Sequence, residues 1–284
     1  MKKTIMMLTA AILLMGCERL EVPQTSNGVD VKTIRLNVKG DFGSPTFTRA
    51  TLSADGKDMT DLWLFDYVDD ELVQTIHQES DDSDFGEPEL TLAYGYHHLY
   101  VVASRGLDPV VDDVEHNIVW SSVRDTFWAD VYAYVDDETA HDQDVTLSRV
   151  VAKLKCSIND VVPTGVTTLT MSPDTWYYGL DYKTGEPVSE DAEPLSVAVP
   201  SSYAGTSGVL TTSFFTISSS DEWKTDFTLT AFDAANATVS SITVDDAPLK
   251  ANRATVYSGN FFSSSKSFSF ILDDGWLDDK VLTW

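Results

Sequence analysis

Cysteine is nearly absent. The 284-residue chain has two, Cys17 and Cys156, so at most one internal disulfide is available and the fold must stand on its apolar core. Basic residues are scarce as well: 19 Lys and Arg against 45 Asp and Glu give a formal charge of −26. A surface this acidic repels phosphate backbones, which excludes nucleic acid as a partner, and repels anionic headgroups too. Apolar runs are short; residues 5–15 form the longest, and a helix needs about 20 such residues to cross a bilayer. The five histidines show no His-x-x-x-His spacing, and there is no Cys-x-x-Cys pair for a metal. His97 and His98 are adjacent, and in a strand neighbouring side chains point to opposite faces. No Gly-x-Ser-x-Gly elbow, phosphate-cradling glycine loop or dinucleotide fingerprint occurs. Carboxylate pairs such as Asp69/Asp70, Asp136/Asp137, Asp245/Asp246 and Asp273/Asp274 fall in turn-like segments, where aspartate is expected, and single out no glycosidase pair. Asp81, Asp82 and Asp84 resemble a calcium loop only loosely, because Phe85 stands at its fifth position. The expectation is a non-enzyme with no cofactor, no metal and no catalytic residue.

What is present begins at the N-terminus. Lys2 and Lys3 precede the apolar run, and small Gly16 precedes Cys17, the layout of an export signal. Cysteine directly after the small residue resembles the lipobox of bacterial lipoproteins, in which the thiol is acylated and becomes the new N-terminus. That implies a signal peptide over residues 1–16, lipidation at Cys17 with fatty acid such as palmitate, and a body moored to the outer membrane by lipid. Cys156 is then left without a disulfide partner. Residues 17–30, rich in polar residues, Pro and Gly, read as a flexible tether.

Beyond the tether the β pattern dominates. In residues 31–39, Ile34, Leu36 and Val38 share one face and Thr33, Arg35 and Asn37 the other, as in a half-buried strand. Residues 62–67 and 72–77 read as a hairpin with an acidic tip at Asp69-Asp70-Glu71, and residues 90–94 and 98–103 as a second hairpin across Gly95. Residues 107–128 are ambiguous: Val114, Ile118 and Phe127 carry partial helical spacing, while Trp120, Phe127 and Trp128 suit strands equally well, and a short helix packed on a sheet is the reading taken. Residues 147–158 alternate again, with Ala152, Leu154, Cys156 and Ile158 on one face, so Cys156 reads as a small core residue. Eight further alternating segments follow up to residue 272. Strands of this length and spacing indicate antiparallel sandwiches. They are too many for one, so the expectation is all-β: an N-terminal sandwich over residues 31–145 and a C-terminal one over 146–284, with at most a short helix in the first. The hairpins at 63–76 and 227–244 look alike in outline and hint at duplication.

Several short motifs then carry a family resemblance. They are Asp61-Leu62-Trp63-Leu64-Phe65-Asp66, Leu90-Thr91-Leu92-Ala93-Tyr94-Gly95-Tyr96 running into Tyr100-Val101-Val102-Ala103, and Leu147-Ser148-Arg149-Val150-Val151-Ala152-Lys153-Leu154. With Pro248-Leu249-Lys250-Ala251-Asn252-Arg253 and Asp273-Asp274-Gly275-Trp276, they resemble the fimbrillin superfamily, the lipoprotein pilins and minor subunits of type V pili in Bacteroidales. The resemblance implies two tandem transthyretin-like β-sandwiches. It also implies a mechanism: shaft subunits are cut after an arginine downstream of the first strand, that strand leaves, and a neighbour's extended segment refills the groove. Arg49-Ala50 stands where such a cut would fall, after the Ile34/Leu36/Val38 strand, and the donor would be the stretch over residues 268–284. Anchor and tip subunits depart from this scheme, so shaft, anchor and tip all stay open.

Two functions follow. In the first, the chain is a structural or adhesive pilus subunit whose partners are other subunits, displayed at the cell surface. In the second, it is a surface glycan-binding lipoprotein, with some of Trp120, Trp128, Trp176, Tyr177, Tyr178 and Trp223 forming a stacking platform. Whether these aromatics line an exposed face or point inward separates the two.

Overall fold

The computed structural model describes residues 30–41 and 59–273. Cys17, the tether, Arg49-Ala50 and residues 274–284 lie outside the described residues. Those described form nineteen strands and a single 3-10 turn, Ser201–Tyr203. The first nine strands are β1 (Val31–Asp41), β2 (Asp61–Val68), β3 (Glu71–Glu79), β4 (Glu89–Ala93), β5 (Gly95–Ser104), β6 (Val110–Asp112), β7 (Asn117–Val119), β8 (Thr126–Val135) and β9 (Asp142–Arg149). After Val150 come β10 (Val151–Ile158), β11 (Val166–Pro173), β12 (Trp176–Asp181), β13 (Pro187–Asp191), β14 (Leu195–Ala198) and β15 (Leu210–Ile217). The last four are β16 (Trp223–Asp233), β17 (Thr238–Leu249), β18 (Ala254–Asn260) and β19 (Ser267–Asp273).

Two sandwiches result, built to one plan. In the first, the order is β3-β2-β5-β8-β9-β1-β4, but β8 and β9 share only the pairs Phe127↔Arg149 and Trp128↔Ser148. The sheet therefore folds over at that seam, and β9-β1-β4 packs on β3-β2-β5-β8. Ile34, Leu36 and Val38 meet Leu62, Leu64, Leu99, Val101 and Leu147 in the core between them. In the second, β15-β10-β18-β19 faces β14-β11-β16-β17 across Leu154, Cys156, Leu169, Phe214, Phe227 and Leu229. Each sandwich starts with a strand running parallel to a late one and antiparallel to a middle one: β1 with β9 and β4, and β10 with β18 and β15. The two sandwiches thus share one topology, but the hairpins that look alike in the sequence do not occupy equivalent positions in it. Hairpin β2–β3 corresponds by position to β11 and β14, whereas β16–β17 corresponds to β5 and β8.

Residues 107–128 form no helix. Asp112 Oδ1 accepts hydrogen bonds from the amides of Val114 and Glu115, at 2.9 and 3.0 Å, and His116 takes a positive φ of 57°. That side-chain-capped turn closes β6 onto β7, since the aspartate offers the backbone an alternative to helix. The hairpin has a larger role: β7 pairs with β12, giving a four-stranded sheet β13-β12-β7-β6 that draws on both halves of the chain. Phe65 of β2 stacks on Tyr182 at 3.8 Å between ring centroids, and Tyr67 meets Tyr182 hydroxyl to hydroxyl at 3.1 Å. This third apolar cluster fastens the outer face of β2 and β5 to the small sheet and to Val151, Ile217 and Ala254 of the second sandwich.

One buried ion pair sits at the junction. Arg149 donates from Nε and Nη2 to the two oxygens of Asp125 at 2.7 and 3.0 Å, and from Nη1 to Asn252 at 3.1 Å. Both charged side chains are sealed from water, at 0 and 2% exposure, so removing Arg149 would leave the Asp125 carboxylate buried without its bidentate partner, with the Arg105 guanidinium 4.0 Å away. Arg149→Met should therefore lower stability in chemical denaturation by about 3–5 kcal/mol. A loss below about 1 kcal/mol, the size expected of an exposed pair, would contradict this reading.

Candidate functional site

The residues predicted to form the first strand and its groove are brought together. Ile34, Leu36 and Val38 are buried, pointing between the sheets. The strand is held on both edges. Its residues 31–35 pair antiparallel with β4, and residues 35–41 pair parallel with β9. Further backbone bonds run from the Leu36 amide to Pro88 and from the Val38 amide to Gly86, both 3.0 Å. The outward face is polar: Arg35 lies 3.2 Å from Asp142, and Lys39 lies 2.9 Å from Asp144. The Lys39 ammonium, with the Asn37 amide, holds the Asp144 carboxyl below its usual value.

At the other end of the chain, β19 pairs along its length with β18 and stands at the border of its sheet. Residues 268–272 of the predicted donor are therefore the last described strand of the second sandwich. Phe268 packs on the core, but Phe270 and Ile271 are 54 and 66% exposed, and Leu272 is exposed as well. A border strand with apolar side chains in water and, among the described residues, no strand on its outer edge is a template for further pairing.

The proposed stacking platform is not one. Trp120 and Trp176 are fully buried, and Trp128, Tyr177, Tyr178 and Trp223 are only partly exposed. Three of the indoles are used internally: Trp128 donates to the Tyr182 carbonyl at 2.8 Å, Trp176 to the Phe215 carbonyl at 2.9 Å, and Trp223 to the Ser218 hydroxyl at 2.9 Å, whereas the Trp120 Nε1 is buried without a hydrogen-bond partner among the described residues. These large rings went inward because the two sandwiches and the small sheet need volume between them. A groove of about 430 Å³ runs past Trp120, Tyr178 and Leu195, rimmed by Glu190, Asp191 and Glu193.

The remaining candidates are placed as follows. His97 points inward and His98 outward, as the alternation required; Nδ1 of His97 lies 2.8 Å from Asp66, and its Nε2 lies 2.9 Å from the Ala93 carbonyl. His77, His116 and His141 are scattered: His77 stacks on Trp63, His116 adjoins Tyr67, and His141 contacts Asp142. Asp82 accepts from the Glu79 amide at 2.9 Å, which makes it a turn-forming residue. Among the described residues, no three His, Cys, Asp or Glu side chains converge as a metal site. Cys156 is in the core, and burial pushes its thiol up to about 12, so it stays protonated. Arg149 was not singled out from the sequence as a junction residue; an arginine directly before the apolar stretch Val150-Val151-Ala152 was the available signal.

The tandem β-sandwich fold recurs in solved structures of Bacteroides proteins. A candidate adhesin from Bacteroides ovatus superposes with a TM-score of 0.54 at 15% identity, covering 84% of this chain and 88% of that one. A candidate polysaccharide-binding protein from Bacteroides thetaiotaomicron gives 0.54 at 10% identity, covering 85 and 96%. A candidate cell adhesion protein from Bacteroides ovatus gives 0.51 at 14%, covering 88 and 100%. Among curated proteins, none matches the chain by sequence. The chain belongs to a family of unknown function, DUF6562, whose model matches residues 97–283.

The inward His97 gives a pH prediction. Burial opposes its charging, but the Asp66 carboxylate and the Ala93 carbonyl prevail and raise its pKa. A raised folded-state pKa means stabilisation that is complete below the unfolded value, about 6.5, and lost as pH rises through the folded value. In thermal melts from pH 5.5 to 9, the gap between the parent chain and His97→Gln should be widest at the acidic end and narrow upward. A gap that widens with pH would contradict the assignment.

Proposed function

We propose that the chain is a structural and adhesive fimbrial subunit, exported by residues 1–16, lipidated at Cys17, displayed at the cell surface and joined to other subunits by strand insertion. The observation that supports this most is the position of β1. It is the first strand, it lies in the middle of its sheet, and it is followed within a few residues by Arg49-Ala50. A cut there would leave β1 held by pairing and packing alone. Its departure would uncover three aliphatic side chains, worth about 1.5–3 kcal/mol each, and unpair the facing edges of β4 and β9. Such a gap has the shape and chemistry to take an extended strand from a neighbour, the β-augmentation mode of recognition. The half-exposed β19 and the residues after it supply a donor. The similar structures reported above are adhesin-type or polysaccharide-binding by description, and not enzymes. The two units then divide the labour, the first accepting a strand and the second offering one; the first runs to the end of β9 at Arg149, a few residues beyond the boundary at 145/146 that the sequence suggested, because Leu147 belongs to its core.

Strand-inserted polymers resist detergent without heat. Outer membranes of cells expressing the chain should give a ladder on an unboiled denaturing gel that collapses to one band on boiling. Arg49→Ala, which removes the site of the cut and so keeps β1 in place, should abolish it. A single monomer band in the unboiled sample would contradict the proposal.

A further inference from the structure

The outer face of β5 and β8 carries rings that no core requires. Tyr96, Tyr132 and Tyr134 are 78, 77 and 58% exposed. Register makes them one surface: Tyr96 lies opposite Tyr134, His98 opposite Tyr132, and Tyr100 opposite Asp130. The rings pair across the strands at 4.9 Å for Tyr96–Tyr134 and 3.9 Å for His98–Tyr132. Successive rows are about 6.8 Å apart along the strands. The floor is fixed by a hydrogen-bond chain, with His98 Nδ1 2.9 Å from the Tyr100 hydroxyl and Nε2 2.5 Å from Asp130. One tautomer satisfies it throughout: Tyr100 donates to Nδ1, and the Nε2 proton goes to the carboxylate.

Cross-strand aromatic pairs stabilise sheets by about 0.2–1 kcal/mol, and this alone would explain one pair. It does not explain three contiguous rings left in water beside a rigid polar edge. Protein-binding patches usually mix aromatics with aliphatic side chains at a desolvated centre, and this ladder contains no aliphatic residue. Flat ring faces flanked by phenol, imidazole and carboxylate groups suit a ligand with C–H faces and a hydroxyl rim. The field here is negative: burial and then Asp130 push the Tyr100 phenol up to about 12, and the whole chain carries −26. Uronic or sialic acids would be repelled.

We propose that the Tyr96–Tyr134 and His98–Tyr132 ladder is a binding platform for neutral polysaccharides of hexopyranose units, stacking sugar faces on the tyrosines while Asp130 takes hydroxyl hydrogen bonds. This deepens the adhesive reading above, and rests on it only for the surface location. The platform differs from the six aromatics that the sequence suggested.

The test is affinity electrophoresis of the full chain in native gels cast with galactomannan, xyloglucan or mixed-linkage β-glucan, with polygalacturonate as the acidic control. At least one neutral polymer should retard the chain, and polygalacturonate should not. Tyr132→Thr and the Tyr96→Thr/Tyr132→Thr/Tyr134→Thr variant keep strand propensity; they should weaken retardation at least tenfold, and Asp130→Asn several-fold, with thermal melts showing the variants folded. No retardation by any neutral polymer, retardation that survives the triple variant, or a self-association that the triple variant abolishes without glycan binding would overturn the proposal. Ladder formation by the triple variant reports separately on strand insertion, so loss of one activity is not mistaken for loss of the other.

Discussion

A strand in the middle of a sheet cannot be removed without leaving a hole, and β1 is such a strand. Its backbone is paired on both edges, and Ile34, Leu36 and Val38 fill the space over β2 and β5. The parallel pairing with β9 joins residues more than a hundred positions apart, so the first sandwich closes only when its opening and final strands meet. Yet β1 reaches the next described strand through a stretch long enough to carry a cut. It is thus essential to the sheet while being connected to it covalently at one end only. That combination makes a groove that is specific in length, register and side-chain spacing.

The second sandwich repeats the plan with a difference. Its counterpart of β1 is β10, which follows β9 through Val150 alone and is fixed at both ends. In place of a detachable opening strand it has an extra border strand, β19, beyond β18; among the described residues the first sandwich has no counterpart of it. On the proposed mechanism the two halves are complementary: the first would be opened by loss of β1, and the second would present β19 as its border strand. Between them, the β6–β7 hairpin, the Phe65–Tyr182 stack and the Arg149–Asp125–Asn252 contacts tie both bodies together.

Local patterns disclosed the strands because half-buried strands alternate, and residues 31–39 and 147–158 do so cleanly. They did not disclose topology, since nothing in the alternation of Ile34, Leu36 and Val38 names β4 or β9 as neighbours. Val114 and Ile118 misled because four-residue spacing fits a helix and a turn between short strands equally; Asp112, two residues ahead of Val114, was the deciding cue. The aromatic face was legible in principle. Leu99 and Val101 mark one side of β5 as core, which leaves Tyr96, His98 and Tyr100 on the other. What separates Tyr100, buried under the small sheet, from Tyr96, in water, is tertiary packing that no local window contains.

The account stands on β1 being an exchangeable plug of defined sequence. The most direct measurement is to nick the folded chain at an engineered protease site placed between residues 42 and 58, release β1 in mild denaturant, and titrate a labelled peptide of residues 31–41. The account predicts saturable binding at one peptide per chain with recovery of the original melting temperature, and no binding by the same peptide carrying Leu36→Asp. Equal binding by both peptides, or an unchanged melting temperature after β1 has left, would contradict it.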